Sequence, residues 1–158
     1  MAEEYGVFLD SELGVGEVAE RVKVVLGLGA SLEGSGVDGE VGLRGPASGG
    51  DGWVGLSVHR NWHVLVDAEP GEAQAIDPYS VQVDVSYDAG DEEREARGVF
   101  ERLAEGGLGM PMLLVHDVTY LVAAYLPDAG THYFAAGVSM DEPDLAEWRD
   151  WVSEVRMG

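Results

Sequence analysis

The segment SVQVDVSYD, residues 80–88, alternates strictly between polar and apolar residues. Its apolar positions are Val81, Val83, Val85 and Tyr87, and the polar positions between them are Gln82, Asp84 and Ser86. A period of two is that of a β-strand with one buried and one polar face. The chain must therefore supply neighbouring strands and a layer that covers the apolar face.

The rest of the chain contains segments that predict both. Runs of β-branched and aromatic residues predict strands at 4–10, 30–33, 39–44, 53–60, 62–69, 111–117, 119–127 and 132–138. Apolar residues at helical spacing predict helices at 14–27, 91–107 and 142–155. Trp148 falls on the apolar stripe of the last helix, whereas Trp151 lies off it and is expected to be partly exposed. The pair Arg60-Asn61 is either a tight turn between two strands or a bend in one long strand.

The order of these segments suggests an internal duplication. Residues 4–44 and 80–126 each follow the order strand, helix, strand, strand, and the sequences VAERVKVVLGLG and EARGVFERLAEGG occupy matching places. Two such βαββ units plus a C-terminal helix predict a single α+β domain over residues 1–158, which is an ordinary domain length. We expect a mixed, largely antiparallel sheet with helices packed on one face.

The charge of the chain limits the partners it can bind. Thirty acidic residues against nine basic ones give a formal net charge of -21. Such a surface repels the phosphates of nucleic acids and of anionic membranes, and it attracts a basic protein. A different explanation is the composition of the host proteome, because one lysine against eight arginines is typical of a high-GC genome.

Cysteine content and the N-terminal sequence limit the cellular context. The absence of cysteine excludes a disulfide framework, a zinc–thiolate site and a cysteine nucleophile. The N-terminal sequence MAEEYGVFLD lacks the pattern of a signal peptide. No apolar stretch approaches the roughly 20 residues that a membrane span needs. A cytoplasmic protein is therefore expected.

Half of the histidines lie in the segment VHRNWHVLVD, at His59 and His63. On a strand, four residues span roughly 13 Å, too far for two imidazoles to bind one ion unless the chain turns between them. The chain has neither a nucleophile elbow nor a phosphate-binding loop. We therefore expect no catalytic residue, metal or cofactor. The alternative is a hydrolase that uses a histidine and a carboxylate, with the candidates His59, His63, Asp67, His116 and Asp117.

Several features together resemble a known class of binding protein. The opening EYGVFLD, the sequence EREARGVFERLAEGG before MPMLLVHDVTYLVAAYLP, and the heavy acidity are similar to the small acidic immunity proteins of bacterial secreted-toxin systems. The resemblance implies a protein that neutralises a basic partner, such as a toxin domain, with carboxylates that take the place of phosphate. A related alternative is a nucleic-acid mimic that inhibits a DNA-binding protein.

The residues expected to contact the partner are chosen by local charge density and exposed aromatic character. One group surrounds the start of the second helix and a second group lies at the last helix, with two residues added from the histidine segment. They are Asp88, Asp91, Glu92, Glu93 and Glu95, then Asp141, Glu142, Asp144 and Glu147, and then Trp62 and His63.

Overall fold

A computed structural model describes residues 4–30, 39–47, 52–63, 73–87 and 90–153. The strands are β1 (Tyr5–Leu9), β2 (Gly29–Ala30), β3 (Val41–Pro46), β4 (Trp53–Arg60), β5 (Val81–Tyr87), β6 (Met112–His116), β7 (Tyr120–Leu126) and β8 (Gly130–Tyr133). The helices are α1 (Val15–Leu26), α2 (Glu92–Glu105) and the short α3 (Leu145–Trp148). No helix among the described residues is long and apolar enough to cross a membrane.

The strands form one sheet in the order β2-β3-β4-β5-β1-β6-β7-β8. Each neighbouring pair is antiparallel, and β1 lies between β5 and β6. The predicted α+β class with a largely antiparallel sheet is confirmed. After α1 the chain continues into β2 at one edge, whereas after α2 it continues into β6 beside β1. The single domain and the internal duplication remain predictions.

The helices α1 and α2 cover one face of the sheet. The three valines of β5 point to this face and join a core that includes Val7, Val22, Phe100 and Leu114, all fully buried. Two helix ends follow directly from the sequence. Gly27 ends α1 in the left-handed conformation that favours glycine, with φ of 67°. Asp91 begins α2, where its side chain accepts a hydrogen bond from the Arg94 backbone N–H at 3.1 Å.

The opposite face carries a second core over β1, β6 and β7. Phe8, Leu113 and Ala124 pack there against Tyr79 and Trp148. The helix predicted over 142–155 is wrong in form, because the described part is α3 flanked by 3₁₀ turns at Glu142–Asp144 and Arg149–Trp151. Pro143 lies in the first of these turns. The buried side chain was predicted correctly, since Trp148 is fully buried.

Three other strand predictions differ from the structure in extent. The last strand begins earlier than predicted and is Gly130–Tyr133 rather than 132–138, because a turn at Gly130, with φ of 86°, starts it. Of the strand expected at 30–33, only Ala30 is described, as the second residue of β2 (Gly29–Ala30). Residues 31–33 lie outside the described residues. The strand expected at 62–69 begins with Trp62 and His63 in a turn, and 64–69 lie outside the described residues.

Candidate functional site: an acidic cleft on one face of the sheet

Beside the second core, on the same face of the sheet, residues of β1, β4 and β5 line a cleft of 590 Å³. Its floor includes Gly6, Ser57, Gln82, Asp84 and Ser86. These residues lie on one face because Ser57 is opposite Asp84 across β4 and β5, and Asp84 is opposite Gly6 across β5 and β1. The cleft is therefore built from the polar positions of the alternating strand that defined the fold.

A glycine on the central strand leaves room beside the carboxylate of Asp84. A Cβ atom at Gly6 would lie 3.5 Å from Asp84 Oδ1 and 3.4 Å from the Phe8 ring. A side chain longer than that of alanine would extend over the position that the carboxylate now occupies. The glycine thus contributes to the concave shape of the cleft.

Both carboxylate oxygens of Asp84 contact buried polar side chains of the sheet. Its Oδ2 lies 2.7 Å from His59 Nε2, and its Oδ1 accepts a hydrogen bond from Gln82 Nε2 at 2.7 Å. The side chain of Asp84 is nevertheless 44% exposed. A carboxylate offers about four acceptor positions, so Asp84 can accept further hydrogen bonds from a ligand in the cleft.

His59 is a buried supporting residue, 1% exposed, and not an open ligand. Its Nδ1 lies 2.7 Å from the Arg60 carbonyl oxygen, and its Nε2 faces Asp84. Both partners are acceptors, so both contacts are hydrogen bonds when both ring nitrogens carry a proton. The ring of Trp62 stacks on that of His59, with centroids 3.7 Å apart and planes 17° from parallel.

The chain turns after Arg60, which answers the question that the spacing of His59 and His63 raises. Asn61 fixes this turn: its Nδ2 donates to the carbonyl oxygens of Ile76 at 3.0 Å and Tyr79 at 2.8 Å, and its Oδ1 accepts from the His63 backbone N–H at 2.9 Å. The turn stacks Trp62 on His59. It also places His63 in the wall of the cleft. Within the described ranges, no group of three or more histidine, aspartate or glutamate residues has the arrangement of a metal site.

Four carboxylates line the cleft, namely Glu4, Glu40, Asp84 and Glu92. Glu40 accepts a hydrogen bond from the Ser57 hydroxyl. Among the described lining residues none is lysine or arginine. Arg44 belongs to the same face, but its guanidinium lies 5.3 Å from the ring of Trp53. The cleft therefore presents negative charge to a ligand.

The predicted contacts near α2 divide into residues of the cleft and residues with a local structural role. Glu92, Trp62 and His63 line the cleft. Asp91 caps α2, and Glu93 forms an ion pair with Arg97 at 3.4 Å. Glu95 is only 2% exposed, so a surface role for it was the wrong expectation: its position on α2 turns it towards the sheet. Asp88 lies outside the described residues.

The second predicted group mostly anchors the C-terminal segment. Asp141 accepts from Gln74 Nε2 at 3.3 Å, and Glu142 accepts from the Ala73 backbone N–H at 3.1 Å. Asp144 accepts from the Ser139 backbone N–H at 2.7 Å, and this hydrogen bond lowers the pKa of its carboxyl. Of this group, only Glu147 is exposed and makes no side-chain hydrogen bond or ion pair within the described part of the chain.

The remaining histidine candidate lies at the turn between β6 and β7. His116 stacks on Tyr5 with ring centroids 4.6 Å apart, and its Nε2 is 3.2 Å from Asp117 Oδ2. Asp117 Oδ1 accepts from the Glu4 backbone N–H at 2.8 Å. These contacts tie the turn to the start of β1. Asp67, the last of the hydrolase candidates, lies outside the described residues.

Sequence reasoning missed Glu4, Glu40, Ser57, Gln82 and Asp84 as site residues. The available signal is the polar face of residues 80–88, but alternation by itself indicates only a half-buried strand. Which strands lie beside it, and whether a layer covers that face, depend on pairings between distant parts of the chain.

Comparisons of the chain with models of protein families, with curated proteins and with solved structures gave no match in any of the three searches.

Proposed function

We propose that this protein is a non-enzymatic inhibitor of the immunity-protein kind, which binds a basic protein such as a toxin domain through the acidic cleft. The observation that carries the proposal is the set of four carboxylates without lysine or arginine among the described lining residues. Complementary potential of this kind guides a basic partner to one surface and fixes its orientation there. The net charge of -21 extends the attraction to a longer range.

The geometry of His59 argues for binding over hydrolysis. A general base needs a ring nitrogen with a free lone pair within reach of the group that it deprotonates. Both ring nitrogens of His59 instead face acceptors at 2.7 Å, and Trp62 covers the ring. His59 thus orients Asp84 and does not activate a nucleophile.

Retention of a basic partner on the immobilised protein tests the proposal. Proteins of the producing cell and its medium are passed over wild type, over the cleft variant Glu4→Gln/Asp84→Asn, and over the control variant Glu17→Gln/Glu20→Gln. The control removes two exposed acids from α1, on the opposite face of the sheet. Wild type and control should retain a basic protein that salt elutes, and the cleft variant should retain at least about tenfold less.

The retained protein must also lose its activity when the purified inhibitor is added in equal amount. Its identity separates a toxin from a DNA-binding protein, the target expected of a nucleic-acid mimic. Retention of no basic protein, or equal retention by the cleft variant and the control, would contradict the proposal. Circular dichroism of both variants checks that the fold is intact.

A further inference from the structure

The acidic cleft contains a buried acceptor, the side-chain oxygen of Gln82, that has no donor in the part of the chain that the structure describes. Gln82 lines the cleft, is 4% exposed, and its Oε1 has no hydrogen-bond partner among the described residues. The orientation of its amide is fixed, because rotation would turn the carbonyl oxygen towards the carboxylate of Asp84 and lose the 2.7 Å bond from Nε2. A buried acceptor without a donor is costly, so this part of the cleft has more acceptors than donors. Because Oε1 itself has almost no accessible surface, a ligand donates to the exposed carboxylate of Asp84 beside it.

Acceptors of different kinds lie close together at this point of the sheet. Ser57 and Asp84 are directly opposite each other across β4 and β5, and Gln82 lies two residues along β5. Opposite and diagonal positions of a sheet are roughly 5–8 Å apart. A planar guanidinium has five N–H donors in a fixed fork and can reach several such acceptors, whereas an ammonium is a compact point charge.

The rim of the cleft adds an aromatic surface. Trp62 is 57% exposed although one face of its ring stacks on His59. A guanidinium is weakly hydrated and stacks on aromatic rings more readily than an ammonium does. The same sheet face already contains one such pair, since the guanidinium of Arg44 lies 5.3 Å from the ring of Trp53.

From these observations we infer that the cleft takes the guanidinium of an arginine side chain of the partner protein. Asp84 is its charged acceptor and Trp62 is its stacking surface. The inference rests on the proposed function, which requires only a basic partner. It specifies that arginine is the residue of that partner that occupies the cleft.

Calorimetric titration with oligoarginine and oligolysine peptides of equal length tests the inference at low salt. The arginine peptide should bind wild type about tenfold more tightly than the lysine peptide. Asp84→Asn should weaken arginine-peptide binding about tenfold. Glu147→Gln removes the same charge from an exposed position outside the cleft and should weaken it by no more than about twofold. Trp62→Leu should reduce the preference for arginine and leave lysine-peptide binding nearly unchanged.

Equal affinity for the two peptides, or equal effects of Asp84→Asn and Glu147→Gln, would overturn the inference and leave a general acidic attraction, with which the proposed function is compatible. An arginine preference in a protein that retains no basic protein from its cell would overturn the proposed function and leave only the arginine selectivity of the cleft standing. If Asp84→Asn alters the near-ultraviolet circular dichroism, the exposed residue Trp62 decides the outcome through Trp62→Leu.

Discussion

Tyr79 is fully buried in the second core and joins two distant parts of the chain. Its hydroxyl oxygen accepts a hydrogen bond from the Ser153 backbone N–H at 3.1 Å. Burial raises the pKa of the phenol to about 12, because the phenolate loses its hydration in the core. The segment that carries Trp148 is therefore attached to the sheet partly through a group that has to stay neutral.

We expect the free energy of unfolding to fall as the pH rises from about 10 to about 12. An exposed tyrosine of the unfolded chain has a pKa of about 10, so the unfolded state loses its proton first and deprotonation favours unfolding over this range. Two pKa units correspond to about 2–3 kcal/mol. Urea unfolding at a series of pH values measures the loss, and Tyr79→Phe should remove most of its pH dependence.

Tyr133→Phe is the control for this measurement. The pKa of Tyr133 is also raised to about 12, by burial and by its hydrogen bond to Glu101, but Tyr133 is 44% exposed. Solvent therefore screens its contribution to stability. If the pH dependence of stability survives in Tyr79→Phe and disappears in Tyr133→Phe, its assignment to Tyr79 is refuted.

At the level of elements, α1 and α2 end side by side. Arg102 Nη2 donates to the Leu26 carbonyl oxygen at 2.9 Å, so a cation of α2 satisfies a terminal carbonyl of α1. Gly106 directly follows α2 and lies against Val25 of α1. A Cβ atom there would lie 2.4 Å from Val25 Cγ1 and 2.9 Å from the Arg102 carbonyl oxygen.

Gly106→Ala should therefore lower the free energy of unfolding by about 1–3 kcal/mol, because neither the branched Val25 side chain nor the backbone can yield without repacking. Gly16→Ala is the matched control: Gly16 is exposed in α1, and a Cβ atom there would meet nothing within 4 Å. That variant should be stabilised by up to about 0.5–1 kcal/mol. Denaturant unfolding of both variants compares them, and a stable Gly106→Ala protein would mean that the helices separate easily.

The elements themselves were largely predictable from the sequence, and their pairing was not. The alternation in 80–88 and the apolar residues at helical spacing in 91–107 are local patterns, and both elements form close to where they were expected. The position of β1 between β5 and β6 depends on residues far apart in the chain. The turn after Arg60 depends on hydrogen bonds of Asn61 to Ile76 and Tyr79, which no local pattern reveals.

At the scale of the whole molecule, the described residues cover the two faces of the sheet differently. One face is covered by α1 and α2, whereas on the other face residues of 73–80 and of the C-terminal segment pack over β1, β6 and β7. The cleft beside this second core retains polar side chains such as Asp84, which is 44% exposed and whose burial would be costly. Part of the negative charge that the composition gives for the whole chain is thus concentrated in one concave surface.

The net charge of -21 has opposite consequences for folding and for binding. Self-repulsion destabilises the compact chain, so added salt should raise the free energy of unfolding between about 0.02 and 0.5 M NaCl, as the Debye length falls from tens of ångströms to about 4–5 Å. Binding of the oligoarginine peptide should weaken over the same range. Urea unfolding and calorimetry measure the two effects in parallel.

Glu17→Gln/Glu20→Gln, which removes two charges far from the cleft, should reduce the salt dependence of stability and leave peptide binding almost unchanged. If salt instead destabilises the protein, attractive ion pairs such as Arg97 with Glu93 outweigh the repulsion, and the charge does not act as a uniform field.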